Sequence, residues 1–182
     1  MRARLKNTVL VALVAMSGLA AECFDVTDPL VIPVNVDNIK NTYTVTPGTI
    51  NFVPGCITKN PADYLDADFD VTGGGQLVDI IVQTNGTFAG NIVGGQLRVG
   101  PSIANLTTLV TYSGPWSAFN TPQSLLQNNV TMSLNEAGKT SLMNIIENQG
   151  SLVICHGGAF SQAATTGMSI DITIFAQVNA TP

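Results

Sequence analysis

Three aspartates at alternate positions are the side chains whose type and spacing point most directly to chemistry. Asp66, Asp68 and Asp70 lie within the run Tyr64–Thr72, in which apolar residues occupy the positions between them. Calcium is bound in proteins by several carboxylate and carbonyl oxygens, so closely spaced aspartates are candidate ligands. The same alternation is typical of a β-strand with one solvated face, where the carboxylates would stand about 7 Å apart and need further ligands to hold one ion. A calcium site and a solvated strand face therefore both stay open.

The Asp-x-Asp-x-Asp spacing resembles the opening of EF-hand-type calcium loops. Such loops place a glycine at the sixth position and a bidentate glutamate at the twelfth. Counted from Asp66, these positions hold Val71 and Leu77. The resemblance is therefore confined to the first ligands of the loop.

No constellation of residues in the sequence predicts catalysis. His156 is the single histidine and directly follows Cys155. Adjacent residues of a strand point to opposite faces, so neither of these side chains can activate the other. The chain has no Gly-x-Ser-x-Gly, phosphate-binding or dinucleotide-binding motif. Glu136 and Glu147, the two glutamates after residue 22, both fall on a predicted helix, which is a poor arrangement for carboxylate-based hydrolysis.

Aromatic residues in the irregular segment Gly114–Gln123 are candidates for binding rather than catalysis. The segment contains the only tryptophan, Trp116, together with Phe119, between two prolines. We predict a loop here. Exposed aromatic side chains on such a loop contact glycans or proteins by stacking and apolar burial. The alternative is a loop that folds back and covers one end of the domain.

Two runs near the C-terminus predict the strands that organise the fold. In Met168–Val178, apolar residues fall on every second position and polar residues fill the gaps, with Phe175 as the only apolar exception. This pattern predicts a strand with one buried and one solvated face. Ser151–His156 is apolar on both faces, which predicts a more central strand.

The remaining elements are short strands separated by turn signals. Pro33 predicts an edge strand, Asn85-Gly86 predicts a hairpin, and 135–149 predicts the only helix, with Ser133 or Asn135 as its cap and Gly150 as its stop. Strands are predicted over Pro29–Val36, Thr42–Val53, Tyr64–Thr72, Gln76–Gln83, Thr87–Ile92, Gly94–Val99, Leu106–Tyr112 and Asn129–Ser133. Thr42–Val53 is either one strand or two, because Pro47-Gly48 interrupts it with a turn. We therefore predict an all-β protein, an antiparallel β-sandwich of jelly-roll or immunoglobulin-like type, in a single domain over 29–182.

The N-terminus predicts export. Basic residues, a short apolar run and small residues over 1–22 form a signal peptide of secretory or lipoprotein type. An uncleaved anchor helix is the alternative to a signal peptide. Cleavage after Ala20 would release a soluble chain. Alternatively, Leu19-Ala-Ala-Glu-Cys23 resembles the bacterial lipobox, which implies lipidation at Cys23, although Glu22 stands where that motif has a small residue. The polar residues 23–28 are then a short tether.

Export also permits a disulfide. If Cys23 is lipidated, Cys56 and Cys155 remain as a pair, and closing a loop of that length would contribute about 4–5 kcal/mol in the chain-entropy model. If Cys23 is free, the pairing is undetermined. Two buried free thiols are the alternative.

The charge balance restricts the partners. From residue 23 onward four basic side chains face eleven acidic ones, a formal net charge of −7. Such a chain has no basic patch for nucleic acid, and we expect membrane contact only through a lipid on Cys23.

We therefore expect a non-enzymatic, exported binding or structural module of a bacterial cell envelope, in the periplasm, outer membrane or extracellular space. It would contact a protein or glycan partner through its loops, with no cofactor other than a possible Ca²⁺. One alternative is an accessory subunit of a larger assembly. Another is a calcium-dependent or carboxylate-based carbohydrate-active protein.

Overall fold

The computed structural model describes residues 31–65, 70–117, 121–127 and 131–181, and at 37–38, 52–54, 115–117 and 131 it describes the backbone alone. These residues form nine β-strands, one α-helix and one short 3₁₀ helix. The strands are β1 (Ile32–Thr44), β2 (Asn51–Lys59), β3 (Asp70–Asn85), β4 (Asn91–Ser102), β5 (Asn105–Ser117), β6 (Gln123–Ser124), β7 (Thr131–Leu134), β8 (Leu152–Phe160) and β9 (Ser169–Thr181). The α-helix is α1 (Glu136–Glu147), and the 3₁₀ helix spans Pro61–Tyr64.

Two antiparallel sheets pack face to face. The first sheet has the order β1-β9-β3-β6, and the second has the order β2-β8-β4-β5-β7. Their inner faces supply one continuous hydrophobic core. The prediction of an all-β antiparallel sandwich with one helix near 135–149 is confirmed.

Strand β9 is the central strand of the first sheet. Its alternate residues Ile170, Ile172 and Ile174 are buried in the core, while Thr173 and Phe175 are half-buried on the outer face. The strand pairs with β1 along one edge and with β3 along the other. The predicted half-buried strand is thus confirmed. The predicted edge position of Pro33 is confirmed too, since β1 is the outermost strand on its side.

Strand β8 is the corresponding interior strand of the second sheet. It lies between β2 and β4, and its residues from Leu152 to Gly157 form an almost fully buried run. Because both faces of this strand are covered, its sequence is apolar on both faces, as predicted.

Helix α1 closes the sandwich on one side. It packs against β3 of the first sheet and against β4 and β5 of the second, with Leu142, Met143 and Ile146 buried. The Glu147 carboxylate accepts a hydrogen bond of 2.8 Å from the backbone N–H of Gly75 in β3. The helix therefore joins the two sheets.

Both ends of α1 are capped by backbone and side-chain hydrogen bonds. At the start, the Asn135 side chain accepts from the Gly138 N–H at 3.0 Å, which confirms Asn135 as the cap. At the end, the Gln149 N–H donates to Ile146 and the Gly150 N–H donates to Ile145, the two bonds of a Schellman motif. The left-handed residue of this motif is Gln149, with φ of 51°, rather than Gly150. The predicted stop was therefore one residue too late.

Several local predictions were wrong. One is the strand Thr87–Ile92, because residues 87–90 lie outside the strands and β4 begins at Asn91. Asn85-Gly86 does not join a hairpin, because β3 and β4 belong to different sheets. Gly86 has φ of 96° and lies where the chain crosses from one sheet to the other. A hairpin and a crossing between sheets both need a residue with positive φ, so Asn-Gly is compatible with either. Of the predicted strand Tyr64–Thr72, Tyr64 instead ends the 3₁₀ helix, residues 70–72 belong to β3, and residues 66–69 lie outside the described part of the chain. Strand β3 continues, with register shifts, through three glycines.

We expect Gly138→Ala to destabilise the protein by about 1–3 kcal/mol, although alanine is the better helix former. A Cβ at this position would overlap the carbonyl oxygen of Thr108 and lie 2.7 Å from the Cα of Leu109, because α1 crosses β5 at backbone distance. Urea unfolding followed by circular dichroism measures the change. Thr140→Ala, at an exposed position of the same helix, is the control and should shift the free energy of unfolding by less than about 0.5 kcal/mol. A gain in stability from Gly138→Ala would contradict the close packing.

We expect Gln149→Gly to stabilise the protein by about 0.5–1 kcal/mol, because glycine adopts the left-handed conformation without a Cβ penalty. The same unfolding experiment tests it. Gly150→Ala is the matched control at the next residue. Its φ is outside the left-handed region and its Cβ would meet no atom closer than 3.8 Å, so we expect little change. Loss of stability in Gln149→Gly would argue against the Schellman geometry.

Candidate functional site

Several residues selected from the sequence lie outside the described part of the chain. Cys23, Asp66, Asp68 and Phe119 are in this group. Asp70 is exposed at the start of β3, opposite Thr181. Among the described residues no group of three or more His, Cys, Asp or Glu side chains is placed to hold a metal ion. The calcium site therefore stays a prediction.

Trp116 was predicted in a loop, and this prediction was wrong. Its backbone belongs to β5, where it lies opposite Ile92 of β4. Strand β7 pairs only with Val110–Ser113, so the last residues of β5 have a neighbouring strand on one side alone among the described residues. Pro115, which cannot donate a backbone hydrogen bond, is tolerated in such a position.

The two predicted cysteines form a disulfide. Cys56 of β2 lies directly opposite Cys155 of β8, with an S–S distance of 2.08 Å and a sequence separation of 99 residues. A disulfide of this kind forms in an oxidising environment, which agrees with export of the chain.

No helix in the described ranges is both long enough and apolar enough to cross a membrane.

A cleft on the outer face of the first sheet combines a charged pair with apolar walls. Lys40 of β1, Thr173 of β9 and Ile81 of β3 lie side by side in the sheet register, and the next row pairs Asp171 with Gln83. The cleft has a volume of about 400 Å³, a size typical of small-molecule sites. Its lining consists of Lys40, Ile81, Gln83, Pro122, Asp171, Thr173 and Phe175. We name it the Lys40–Asp171 cleft.

Asp171 is the polar centre of this cleft. Its Oδ2 lies 2.8 Å from the Lys40 ammonium, and its Oδ1 accepts a hydrogen bond of 2.6 Å from the Thr42 hydroxyl. The residue is only 7% exposed. Burial opposes its ionisation, but hydrogen bonds from Lys40, Thr42 and Asn85 outweigh this, so the pKa of Asp171 lies below its usual value. Asp171 is therefore a carboxylate at neutral pH, already compensated by one cation.

The apolar part of the cleft comes from Phe175, Ile81 and Pro122. Phe175 is the one apolar residue between Ser169 and Asn179 on the outer face of β9, and the cleft accounts for its position. Rigid strands position all of these walls except Pro122, which directly precedes β6.

Sequence reasoning did not select Lys40, Asp171 or Phe175 as site residues. The only local signal was Phe175, which interrupts a series of polar residues. Thr42 and Asp171 are 129 residues apart, so no spacing along the chain relates the groups that the sheet brings together.

The described carboxylates of this face lack the geometry of paired-carboxylate hydrolysis. Asp79 faces the same side of the sheet and lies opposite Phe175, four residues along β9 from Asp171. This register separates the two carboxylates by about 13 Å. Glycosidase pairs are only about 5–9.5 Å apart.

A second cluster of polar groups lies inside the sandwich around His156. The side chain is 1% exposed, between Tyr43 of the first sheet and Tyr112 of the second. The Tyr112 hydroxyl lies 2.7 Å from His156 Nε2, and the Tyr43 hydroxyl donates to the backbone oxygen of Ile154 at 3.1 Å. A Cβ at Gly95 would lie 2.6 Å from Tyr112 Cζ, so glycine there makes room for the ring.

The His156 cluster is structural in its chemistry. Burial lowers the pKa of His156 to about 3 and raises the pKa values of Tyr43 and Tyr112, so all three groups are neutral near pH 7. A cavity of about 180 Å³ adjoins the cluster, between the edge strands β1 and β2. Cys155 points away from His156 and is held in the disulfide, as the strand alternation predicted.

Comparison of the chain with protein-family models, curated proteins and solved structures finds no match.

We expect the stability of the protein to fall by about 1.4 kcal/mol per pH unit as the pH drops from 6 to 4, because of His156. The unfolded chain binds a proton at His156 near pH 6.5, whereas the folded chain resists it until about pH 3. The contribution is therefore complete above pH 6.5 and is lost on acidification. Urea unfolding at successive pH values measures this slope.

His156→Gln is the control, because glutamine has no charge at any of these pH values. The slope between pH 6 and 4 should be lost in this variant, apart from a common contribution of carboxylates near pH 4. Asp171, with its lowered pKa, loses its contribution only below about pH 4, outside this window. Equal slopes in the two proteins would show that His156 is not buried in its neutral form.

Proposed function

We propose that this protein is a non-enzymatic binding module, exported to a bacterial cell envelope, that holds a protein or glycan partner in the Lys40–Asp171 cleft. The observation that carries this proposal is the combination of apolar walls with an oriented ion pair in a concave site of about 400 Å³. Sites of this composition bind ligands through apolar contact and orient them through a few polar groups. The proposed binding surface is thus the face of a sheet, whereas the sequence predicted binding through loops.

The chemistry of the ion pair favours binding over catalysis. A general base works best when its pKa is near the operating pH. The pKa of Asp171 is lowered instead, and its two oxygens already accept hydrogen bonds from Lys40 and Thr42. Such a carboxylate positions a partner but removes protons poorly.

The position of the cleft suits presentation from an envelope surface. Ile32 and Ala180 are paired at one end of the sandwich, so β1 and β9 have their outer ends together. Lys40 lies eight residues further along β1, about 25 Å from that end. The proposal covers two mature forms, one anchored by a lipid on Cys23 and one released into the periplasm or outside the cell. In the anchored form the cleft would stand clear of the membrane.

Assembly by addition of strands to the first sheet has less support, because the edges of that sheet are partly blocked. Glu147 accepts the hydrogen bond of Gly75 at the edge of β3, and the carboxylate of Asp79 accepts that of Ile80 at 2.7 Å. On the opposite side, β1 carries Pro33. Edges of this kind resist pairing with a further chain.

We expect Phe175→Ala to weaken binding to isolated cell envelopes of the source organism by about tenfold or more, because an aromatic contact at the centre of a binding site typically contributes over 1 kcal/mol. The processed, exported protein is titrated against washed envelopes, and the bound fraction is measured by co-sedimentation. Ile103→Ala is the matched control. Ile103 is 69% exposed in the turn between β4 and β5, so it tests the general loss of an apolar side chain.

Thermal unfolding of each variant confirms that the fold is retained. Equal binding of wild type, Phe175→Ala and Ile103→Ala would contradict the proposal, as would the absence of any binding by the wild type. Lys40→Ala provides a second variant and should weaken binding. Because it leaves the Asp171 carboxylate without its cation, its affinity is compared only after thermal unfolding shows a folded protein.

A further inference from the structure

The outer face of β9 carries uncharged hydrogen-bonding side chains over almost its whole length. From one end to the other the outward residues are Ser169, Asp171, Thr173, Phe175, Gln177 and Asn179. Asp171 is the only charged member, and the ammonium of Lys40 neutralises it at 2.8 Å. The β9 residues together with Lys40 therefore present donors and acceptors without a net charge, and Asp79 of β3 adds one carboxylate beside Phe175.

Neighbouring strands extend this pattern sideways. Gln177 accepts a hydrogen bond from Gln76 of β3 at 2.8 Å and donates one to Asn35 of β1 at 3.3 Å. Three amide side chains thus form a row across the sheet, adjacent to the Phe175 end of the Lys40–Asp171 cleft. Amides offer both donors and acceptors, which suits hydroxyl groups.

We propose that the partner is a neutral glycan, with one sugar ring stacked on Phe175 in the Lys40–Asp171 cleft and the chain continuing over the amide row of Asn35, Gln177 and Gln76. A pyranose ring has an apolar C–H face and a rim of hydroxyls. The apolar face matches the wall of Phe175, Ile81 and Pro122. The hydroxyl rim meets Lys40, whose ammonium has three N–H donors, one of which is directed at Asp171.

Charge disfavours ionic ligands. An anionic group in the cleft would lie close to Asp171 on a chain with a net charge of −5. A cationic group would meet the exposed ammonium of Lys40. An anionic group would thus face two carboxylates, because Asp79 of β3 lies opposite Phe175 on the same face. A cationic group would face the Lys40 ammonium, whereas a neutral ligand meets no like charge.

The position within the sheet disfavours an extended peptide. Peptides that bind to sheets usually add a strand at an edge through main-chain hydrogen bonds. Both edges of β9 are already paired, to β1 and β3. A ligand on this face must be recognised through side chains alone, as the hydroxyls of a glycan can be.

This inference rests on the proposed function, and its test uses the same envelope binding assay. Envelopes are divided into two portions, one treated with proteinase K and one oxidised with periodate, which cleaves vicinal diols, and then reduced with borohydride. We expect periodate treatment to lower binding at least tenfold and proteinase treatment to leave it within twofold. Binding should also change less than twofold between 50 and 500 mM salt, because a neutral ligand has no charge to screen.

Gln177→Ala distinguishes the contact of one sugar ring with Phe175 from the contact of the rest of the glycan with the amide row. Neutral methyl glycosides compete through the cleft alone, so their competition constants should be unchanged in this variant, while its affinity for envelopes falls about three- to tenfold. Asn144→Ala, which removes an exposed amide side chain from helix α1, is the control and should change neither.

The outcomes distinguish the two proposals. Binding that depends on Phe175 but is destroyed by proteinase and resists periodate would overturn the glycan inference and leave the binding cleft intact, with a protein as the partner. Binding that is insensitive to Phe175 would overturn both. Strong salt dependence would also overturn the inference, because it would show a charged ligand.

Discussion

The two-residue period of β9 is the constraint on which both the fold and the candidate site depend. Its inward residues, among them Ile170, Ile172 and Ile174, are fully buried at the centre of the core. Their burial fixes which way Asp171 and Phe175 point. A slip of one residue in the pairing with β1 or β3 would move the isoleucines into water and the carboxylate into the core. The register that builds the core therefore also positions the cleft.

The second sheet and the helix hold that register by closing the sandwich on two sides. Helix α1 joins β3 to β5, and Gly138 allows it to approach at backbone distance. On the opposite side the edge strands β1 and β2 meet, where the Tyr43 hydroxyl reaches across to the backbone of Ile154. The disulfide ties β2 to β8, and a cross-link over 99 residues contributes about 4–5 kcal/mol in the chain-entropy model. The described part of this acidic chain has few ion pairs and thus gains its rigidity from packing and covalent linkage.

Local periodicity predicted β8, β9 and α1, and export together with the number of cysteines predicted the disulfide. The strands and the helix depend on patterns that extend over a few residues, and the disulfide depends on a small number of possible cysteine pairings. The sequence misled where one signal serves two structures. Asn85-Gly86 marks a positive φ, whether the chain returns in the same sheet or crosses to the other. The cleft was not predictable, because Lys40, Ile81 and Asp171 come from three separate strands. Phe175 alone left a trace, as the one apolar residue on a polar face.

The ion pair in the cleft is difficult to explain by stability alone. Lys40 is exposed, and ion pairs with an exposed partner contribute about 0–1 kcal/mol at most. Asp171, in contrast, is almost fully buried, and its burial opposes the charged form. Hydrogen-bonding neutral residues, such as the Gln76–Gln177 pair further along the same face, fill equivalent positions without that cost. Under the proposed function, the pair has another role: beside the aromatic wall, it holds donors and acceptors in fixed directions for a ligand. Because each charge compensates the other, the pair would orient a ligand through directed hydrogen bonds without favouring a charged ligand.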